Sequence, residues 1–243
     1  QIQDYTPSRP IRFITNRKFR DASSWYHFVF AVDTTQSTAS NRAKLYVNGV
    51  QETSFSTETY PDQNYESSAN VSGHIQVWGT NKAGTSNDLD GYLADVYFID
   101  GQQLTPDNFG YTDPLTGIWR PKEYEGTYGT NGYRLDFSDN SSTTAATLGK
   151  DTSGNGNNFT PNNFGGTNVD AVLDTPINNF ITLNPLRRLG DNCNLSDGNL
   201  KATGPNQTFP GAAANIALSS GKWYYEFVIN TKASAPMCGV CKN

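Results

Sequence analysis

The chain is poor in charge and in apolar residues. Only 17% of its 243 residues are Asp, Glu, Lys or Arg and 35% are hydrophobic, against about 25% charged in an average soluble protein. With two His and three Cys, it has few ligands for the paired spacing that zinc sites use and an odd number of thiols for a disulfide framework. No apolar run approaches the roughly 20 residues a membrane-spanning helix needs; the longest, Phe28 to Val32, is strand-sized. Membrane insertion is therefore not expected. The 18 basic residues are scattered among 23 acidic ones, for a net charge of −5, so there is no basic stripe to track a nucleic acid. The first residue is Gln1, and no charged n-region or apolar h-region follows. The chain reads as a segment of a longer polypeptide.

Small polar residues fill the deficit: 26 Asn, 26 Thr and 22 Gly. These are poor helix formers that favour turns and strand edges. The 13 Phe, 13 Tyr and 4 Trp suit strands and argue against disorder. The composition points to an all-β protein.

Along the first half, strands and turns alternate. W-Y-H-F-V-F-A-V-D at 25–33 and K-L-Y-V at 44–47 read as strands, and Asn48-Gly49 between β-prone runs marks a tight hairpin. Residues 53–70 read as a polar loop, 74–79 as a strand, and 90–101 as another bounded by Asp-Gly at both ends. Thr105, Pro106 and Gly110 bracket one short helix of at most two turns. Residues 120–190 are dominated by Gly, Asn, Asp, Thr and Pro, with strand pieces at 133–137 and 180–183. That segment is expected to pack across its neighbours. Further strands are expected at 198–203, 214–218 and 221–229.

Three stretches in order, W-Y-H-F-V-F at 25–30, K-L-Y-V-N-G at 44–49 and L-D-G-Y-L-A-D-V-Y-F at 89–98, resemble the laminin-G/pentraxin-like group of concanavalin A-type jelly rolls. The likeness covers roughly residues 10–119. S-S-G-K-W-Y-Y-E-F at 219–227 resembles the corresponding strand of SPRY domains, with Cys238 and Cys241 in the next one. On that view the C-x-x-C is two buried strand residues rather than a redox or zinc motif, and Cys193 is read the same way. Y-R-L-D-F at 133–137 and D-T-S-G-N-G-N-N at 151–158 look like the opening of another jelly roll of the first kind. Chains that combine these features are similar to virion proteins of marine tailed bacteriophages. The fold implied is an antiparallel two-sheet jelly-roll sandwich at residues 1–119, a bridging segment at 120–190, and the start of a SPRY-like sandwich at 191–243.

Jelly rolls of this type include glucanases, which resemble one another in an E-x-D-x-(x)-E strand that sets two carboxylates on one face. No E-x-D occurs here; Glu123 and Glu125 form an E-x-E in a loop-like stretch and read as surface carboxylates. Catalysis is not expected. For a lectin-like role, Tyr60 and Tyr65 in the polar loop are the candidate platforms for a sugar ring. The four Trp and two His fit strand positions better. Because laminin-G-like modules often carry calcium, Asp88 and Asp90 are its candidate ligands, although Asx turns account for both this run and residues 151–157. The likeness also implies a homo-oligomer, a trimer in phage fibres, that contacts other virion proteins and host cell-surface glycans. A purely structural capsid- or tail-decorating protein is the competing expectation.

Overall fold

The computed structural model describes residues 2–3, 10–21, 24–71, 74–80, 89, 91–164, 171–172, 174–178, 180–189, 193–204, 211–215, 221–231 and 239. The chain divides into two units, residues 1–179 and 180–243.

The first unit holds β1 (Ile2–Gln3), β2 (Arg12–Thr15), β3 (Phe28–Val32), β4 (Ala43–Val47), β5 (Val50–Gln51), β6 (Phe55–Thr59), β7 (Val96–Phe98), β8 (Gly110–Thr112), β9 (Trp119–Pro121) and β10 (Tyr133–Leu135). Its only α-helix among the described residues is the four-residue α1, Ala39–Arg42. All pairings are antiparallel: β1-β2-β6, β3-β4-β5, β7-β10 and β8-β9. The fold is thus all-β, as the composition required. Strand β4 shows why: Ala43, Leu45 and Val47 are buried while Lys44 and Tyr46 between them are not, the two-residue period of a strand with one face on a core.

Two apolar clusters hold the unit. Ile11, Phe13 and Ala43 are buried with Phe30, Val32, Phe55 and Tyr60 against them. Val96, Tyr133 and Leu135 form the second, with Phe98, Phe137 and Phe159. Phe98 and Tyr133 are cross-strand partners whose rings stack 5.6 Å apart, the pairing that stabilises an antiparallel ladder.

Asn48 and Gly49 form the expected hairpin turn, both left-handed at φ 49° and 79°. Asn48 also accepts the His27 N–H through Oδ1 at 2.8 Å and donates its own N–H to the His27 carbonyl. Trp119 lies across this turn. A Cβ on Gly49 would stand 2.3 Å from its ring, and one on Gly110 2.5 Å. A Gly49→Ala variant therefore meets both a strained φ and an overlap, and is expected to unfold at lower urea with a loss of about 1–3 kcal/mol. An unchanged midpoint would count against this packing.

Trp119 Nε1 donates to His27 Nδ1 at 3.0 Å and the two rings stack. Burial pushes the His27 pKa below its ordinary 6.5, with the Asp95 charge opposing. The neutral ring, protonated on Nε2, is the form that can accept this bond. A folded-state pKa below the unfolded one stabilises above pH 6.5 and is lost as pH falls through the folded value. The melting temperature should drop between pH 7 and 5, and His27→Gln should flatten that slope; equal slopes would contradict the assignment.

Several expectations are corrected. The stretch 53–70 is not all loop: β6 runs through it, pairing with β2, and one 3-10 turn occupies Ser68–Asn70. Phe55 and Thr57 turn inward from a Ser/Thr-rich strand whose exposed face is polar. Residues 74–79 form no ladder among the described residues; Ile75, Val77 and Trp78 are exposed, and side-chain bonds from Trp78 Nε1 to Tyr133 Oη and from Tyr133 Oη to Gln76 hold the segment. The strand expected over 90–101 shrinks to Val96–Phe98 because Asp95 sits at φ 49°, a conformation that cannot continue a ladder. Thr105 and Pro106 do open a helical turn, 3-10 over Pro106–Asn108. Trp25 and Trp119 are half-buried, but Trp78 and Trp223 are exposed, as is His74.

The contacts do not divide at residue 119. Strand β10 pairs along its whole length with β7, so 120–179 lie in the first unit. Trp25 Nε1 also donates to Asp174.

The second unit contains β11 (Leu183–Leu189), β12 (Asn194–Ser196), β13 (Lys201–Thr203) and β14 (Gly211–Ala214), paired β11-β14 and β12-β13. Asp197, Gly198 and Asn199 are all left-handed and turn the chain between β12 and β13, so the strand expected from 198 begins at 201. The strand expected at 180–183 begins only at Leu183. Residues 221–229 are paired with no described strand, and Trp223, Tyr224, Tyr225, Phe227, Val228 and Ile229 are exposed. Cys193 is buried; Cys238 and Cys241 lie outside the described residues.

Candidate functional site

A run of aromatic rings leads from β7 to the surface. Tyr97 contacts Phe109, Phe109 contacts Tyr124, and Tyr124 meets Tyr128 edge-on, with centroids 5.2–5.4 Å apart. Tyr97 and Tyr128 lie nearly parallel, 13° apart at 6.4 Å. The Arg134 guanidinium stands 5.5 Å over Tyr97 and pairs with Asp95 at 3.0 Å and with Glu123. Burial raises the Tyr97 pKa, as does the Asp95 charge, so its phenol stays neutral. Tyr128 is thus a half-buried ring held from below. Its carbonyl accepts the Asp100 N–H at 2.8 Å.

Glycines let the chain fold tightly here. Gly129 is left-handed, and a Cβ on Gly132 would stand 1.9 Å from the Tyr128 carbonyl oxygen. No larger residue fits there without moving backbone.

The opposite wall is the 151–158 run. Asp151 is buried, and its carboxylate accepts the N–H groups of Arg134, Ser153 and Asn157 at 2.8–2.9 Å and the Ser153 hydroxyl at 2.9 Å. Burial pushes the Asp151 pKa up, but these donors outweigh it and hold it below the ordinary carboxylate range. Asn155 Nδ2 donates to the carbonyls of Gly129 and Gly132 at 2.6 and 2.9 Å. Asn157 Nδ2 donates to those of Thr130 and Gly132 at 3.2 and 2.9 Å. Asx and glycine turns, centred on one ionised Asp, therefore staple this run onto 129–132.

Between the walls lies an open groove of about 470 Å³, lined by Thr127, Tyr128, Thr130, Ser153 and Asn155 with Gly126 and Gly129. An aromatic ring beside hydroxyl and amide groups offers an apolar face and directional hydrogen bonds to one ligand.

The residues picked from the sequence lie elsewhere. Tyr60 stands edge-on to Phe13 at 5.4 Å and donates to Glu58; burial and Glu58 push its pKa up to about 12. It lines a smaller cleft of about 200 Å³ with Phe13, Lys44, Glu52 and Glu58. Glu52 there is buried, its Oε1 accepting the Ser54 N–H and its Oε2 3.1 Å from Arg17 Nε as an ion pair. Tyr65 is half-buried, outside that cleft, in a turn pinned by Asn64 and Gln63 to the 34–35 loop. Asp88 and Asp90 lie outside the described residues. Among the described residues no group of three or more His, Cys, Asp or Glu is placed to hold a metal. Glu123 is ion-paired to Arg134, and Glu125 is exposed.

Sequence reasoning passed over Tyr128 and Asn155. The signal was present in the glycines of G-T-Y-G-T-N-G at 126–132 and in D-T-S-G-N-G-N-N at 151–158, but nothing in the sequence says that these two runs meet.

No curated protein and no solved structure matches the chain. Residues 2–108 match the laminin-G model of the concanavalin A-like lectin/glucanases superfamily. The match ends before the groove loops, yet it includes β7, on which β10 and the aromatic run are built. The first part of the chain is similar to a lectin-type jelly roll, a fold compatible with carbohydrate binding.

Proposed function

We propose that this protein binds carbohydrate without acting on it, through the Tyr128 groove, as a fibre or surface component of a bacteriophage virion that contacts host glycans. The observation that carries the binding reading is the groove itself: a ring supported from beneath and flanked by Thr, Ser and Asn. The virion setting, the homotrimer and the neighbouring virion proteins rest on the order of laminin-G-like and SPRY-like motifs in the sequence.

The carboxylate beneath the groove supports a role without catalysis. A glycosidase needs one carboxyl kept protonated as its acid. Asp151, beneath the groove, is saturated with donors and held below the ordinary carboxylate range, so it does not supply that acid. Release of reducing sugar from host polysaccharide would overturn this.

A glycan array on the full chain tests the reading. Binding to at least one carbohydrate should fall about tenfold in Tyr128→Ala, the loss of one stacked ring. Unchanged binding would move the site away from Tyr128.

The structural alternative has its own support. Phe19, Tyr26 and Phe28 form an aromatic cluster with Phe19 and Phe28 exposed, a surface suited to packing between subunits. Absence of glycan binding, with a Phe28-dependent oligomer in sedimentation, would favour it.

A further inference from the structure

The groove's hydrogen-bonding groups discriminate among carbohydrates. Asn155 directs both amide protons at carbonyl oxygens, which can only accept; this orients the amide and leaves Oδ1 with no donor among the described residues. The Ser153 hydroxyl proton goes to Asp151. Thr127 Oγ1 accepts from Gln102 Nε2 and keeps its own proton, and the Thr130 hydroxyl has no partner among the described residues. The lining thus presents an amide acceptor and hydroxyls, and it contains no Lys, Arg or His.

The surroundings are anionic. Asp151 lies beneath the loop, Asp100 is bound to the Asn131 N–H and to Asn70, and exposed Glu125 adjoins the lining residue Gly126. Arg134, whose backbone N–H binds Asp151, is already paired with two carboxylates, Asp95 and Glu123.

We infer that the groove selects neutral sugars and rejects uronates and sulfated glycans. A pyranose hydroxyl both donates and accepts, which suits Asn155 Oδ1 and the two threonines. A carboxylate or sulfate only accepts: it can use the two threonine hydroxyls, but Asn155 Oδ1 opposes it, the amide protons of Asn155 are turned inward, and no cationic donor lines the groove to offset its desolvation. This inference rests on the Tyr128 groove being the glycan site.

The test is titration calorimetry of the full chain with neutral gluco-, manno- and galacto-hexasaccharides and with hexagalacturonate. At least one neutral hexasaccharide should bind at least tenfold more tightly than the uronate. Its affinity should change less than twofold between 0.05 and about 0.5 M salt, because no charge pair is formed. Thr130→Lys should raise uronate affinity about tenfold while lowering that of the neutral sugar. Uronate binding equal to or tighter than every neutral probe, with strong salt dependence, overturns the inference and leaves the carbohydrate-binding reading standing. No binding of any probe overturns both.

Discussion

Asp151→Ala is expected to destabilise the first unit by about 3–5 kcal/mol and to remove glycan binding. The carboxylate is buried and accepts three backbone N–H groups and one hydroxyl. Truncation leaves those donors without a partner, at about 1–3 kcal/mol for each that water does not reach. It also frees the run that carries Asn155 and Asn157, and with it the staples to Gly129, Thr130 and Gly132. Asp151→Asn keeps one acceptor and should cost less. The same carboxyl sets an acid limit. Its folded pKa lies below the ordinary 3.8, so its contribution is complete above that value and is lost as pH falls through the folded one. Urea midpoints of the wild type should decline below about pH 4, and those of Asp151→Ala should decline less. A loss under 1 kcal/mol at pH 7 would show that the groove wall does not depend on this residue.

Phe13→Ala is expected to cost about 3–5 kcal/mol, the range for removing a buried ring. Phe13 is 1% exposed and its ring contacts Phe30, Phe55 and Tyr60 at 5.0–5.9 Å. It joins β2 to β3 and β6, so the cavity opens where two sheets meet. Phe13→Leu, which retains most of the apolar volume, should cost about 1–1.5 kcal/mol. Urea unfolding at one pH reads both. Because this cluster is separate from that of Val96, Tyr133 and Leu135, glycan affinity below the melting point should survive Phe13→Leu. A small Phe13→Ala effect would mean that the cluster is not the core of the unit.

Much of the first unit was legible where local chemistry decides the backbone. Asn48-Gly49 demands two left-handed residues, and Pro106 after Thr105 demands a helical start; both are found. The short apolar run of β3 and the strand residues of β4 were equally readable. What failed was set by tertiary partners. β6 is a strand because β2 lies beside it, although its own residues read as loop. Residues 74–79 look like a strand but are held by side-chain bonds to Tyr133. Asp95 carries no local sign of its positive φ; its ion pair with Arg134 spans 39 residues. The site was legible in chemistry and not in place. Aromatic rings with polar Asx neighbours were expected and do line the proposed groove, but not at the expected positions: Tyr60 turns onto Phe13. Tyr128 lines a groove whose second wall is stapled to Gly129 by Asn155, 26 residues further along the chain.

The most direct test is a crystal structure of the full chain with its tightest-binding neutral oligosaccharide. A pyranose ring is expected against Tyr128, with hydroxyls on Asn155 Oδ1 and Thr130. A sugar seated in the Tyr60 cleft, or anywhere away from residues 126–130 and 153–155, would contradict it.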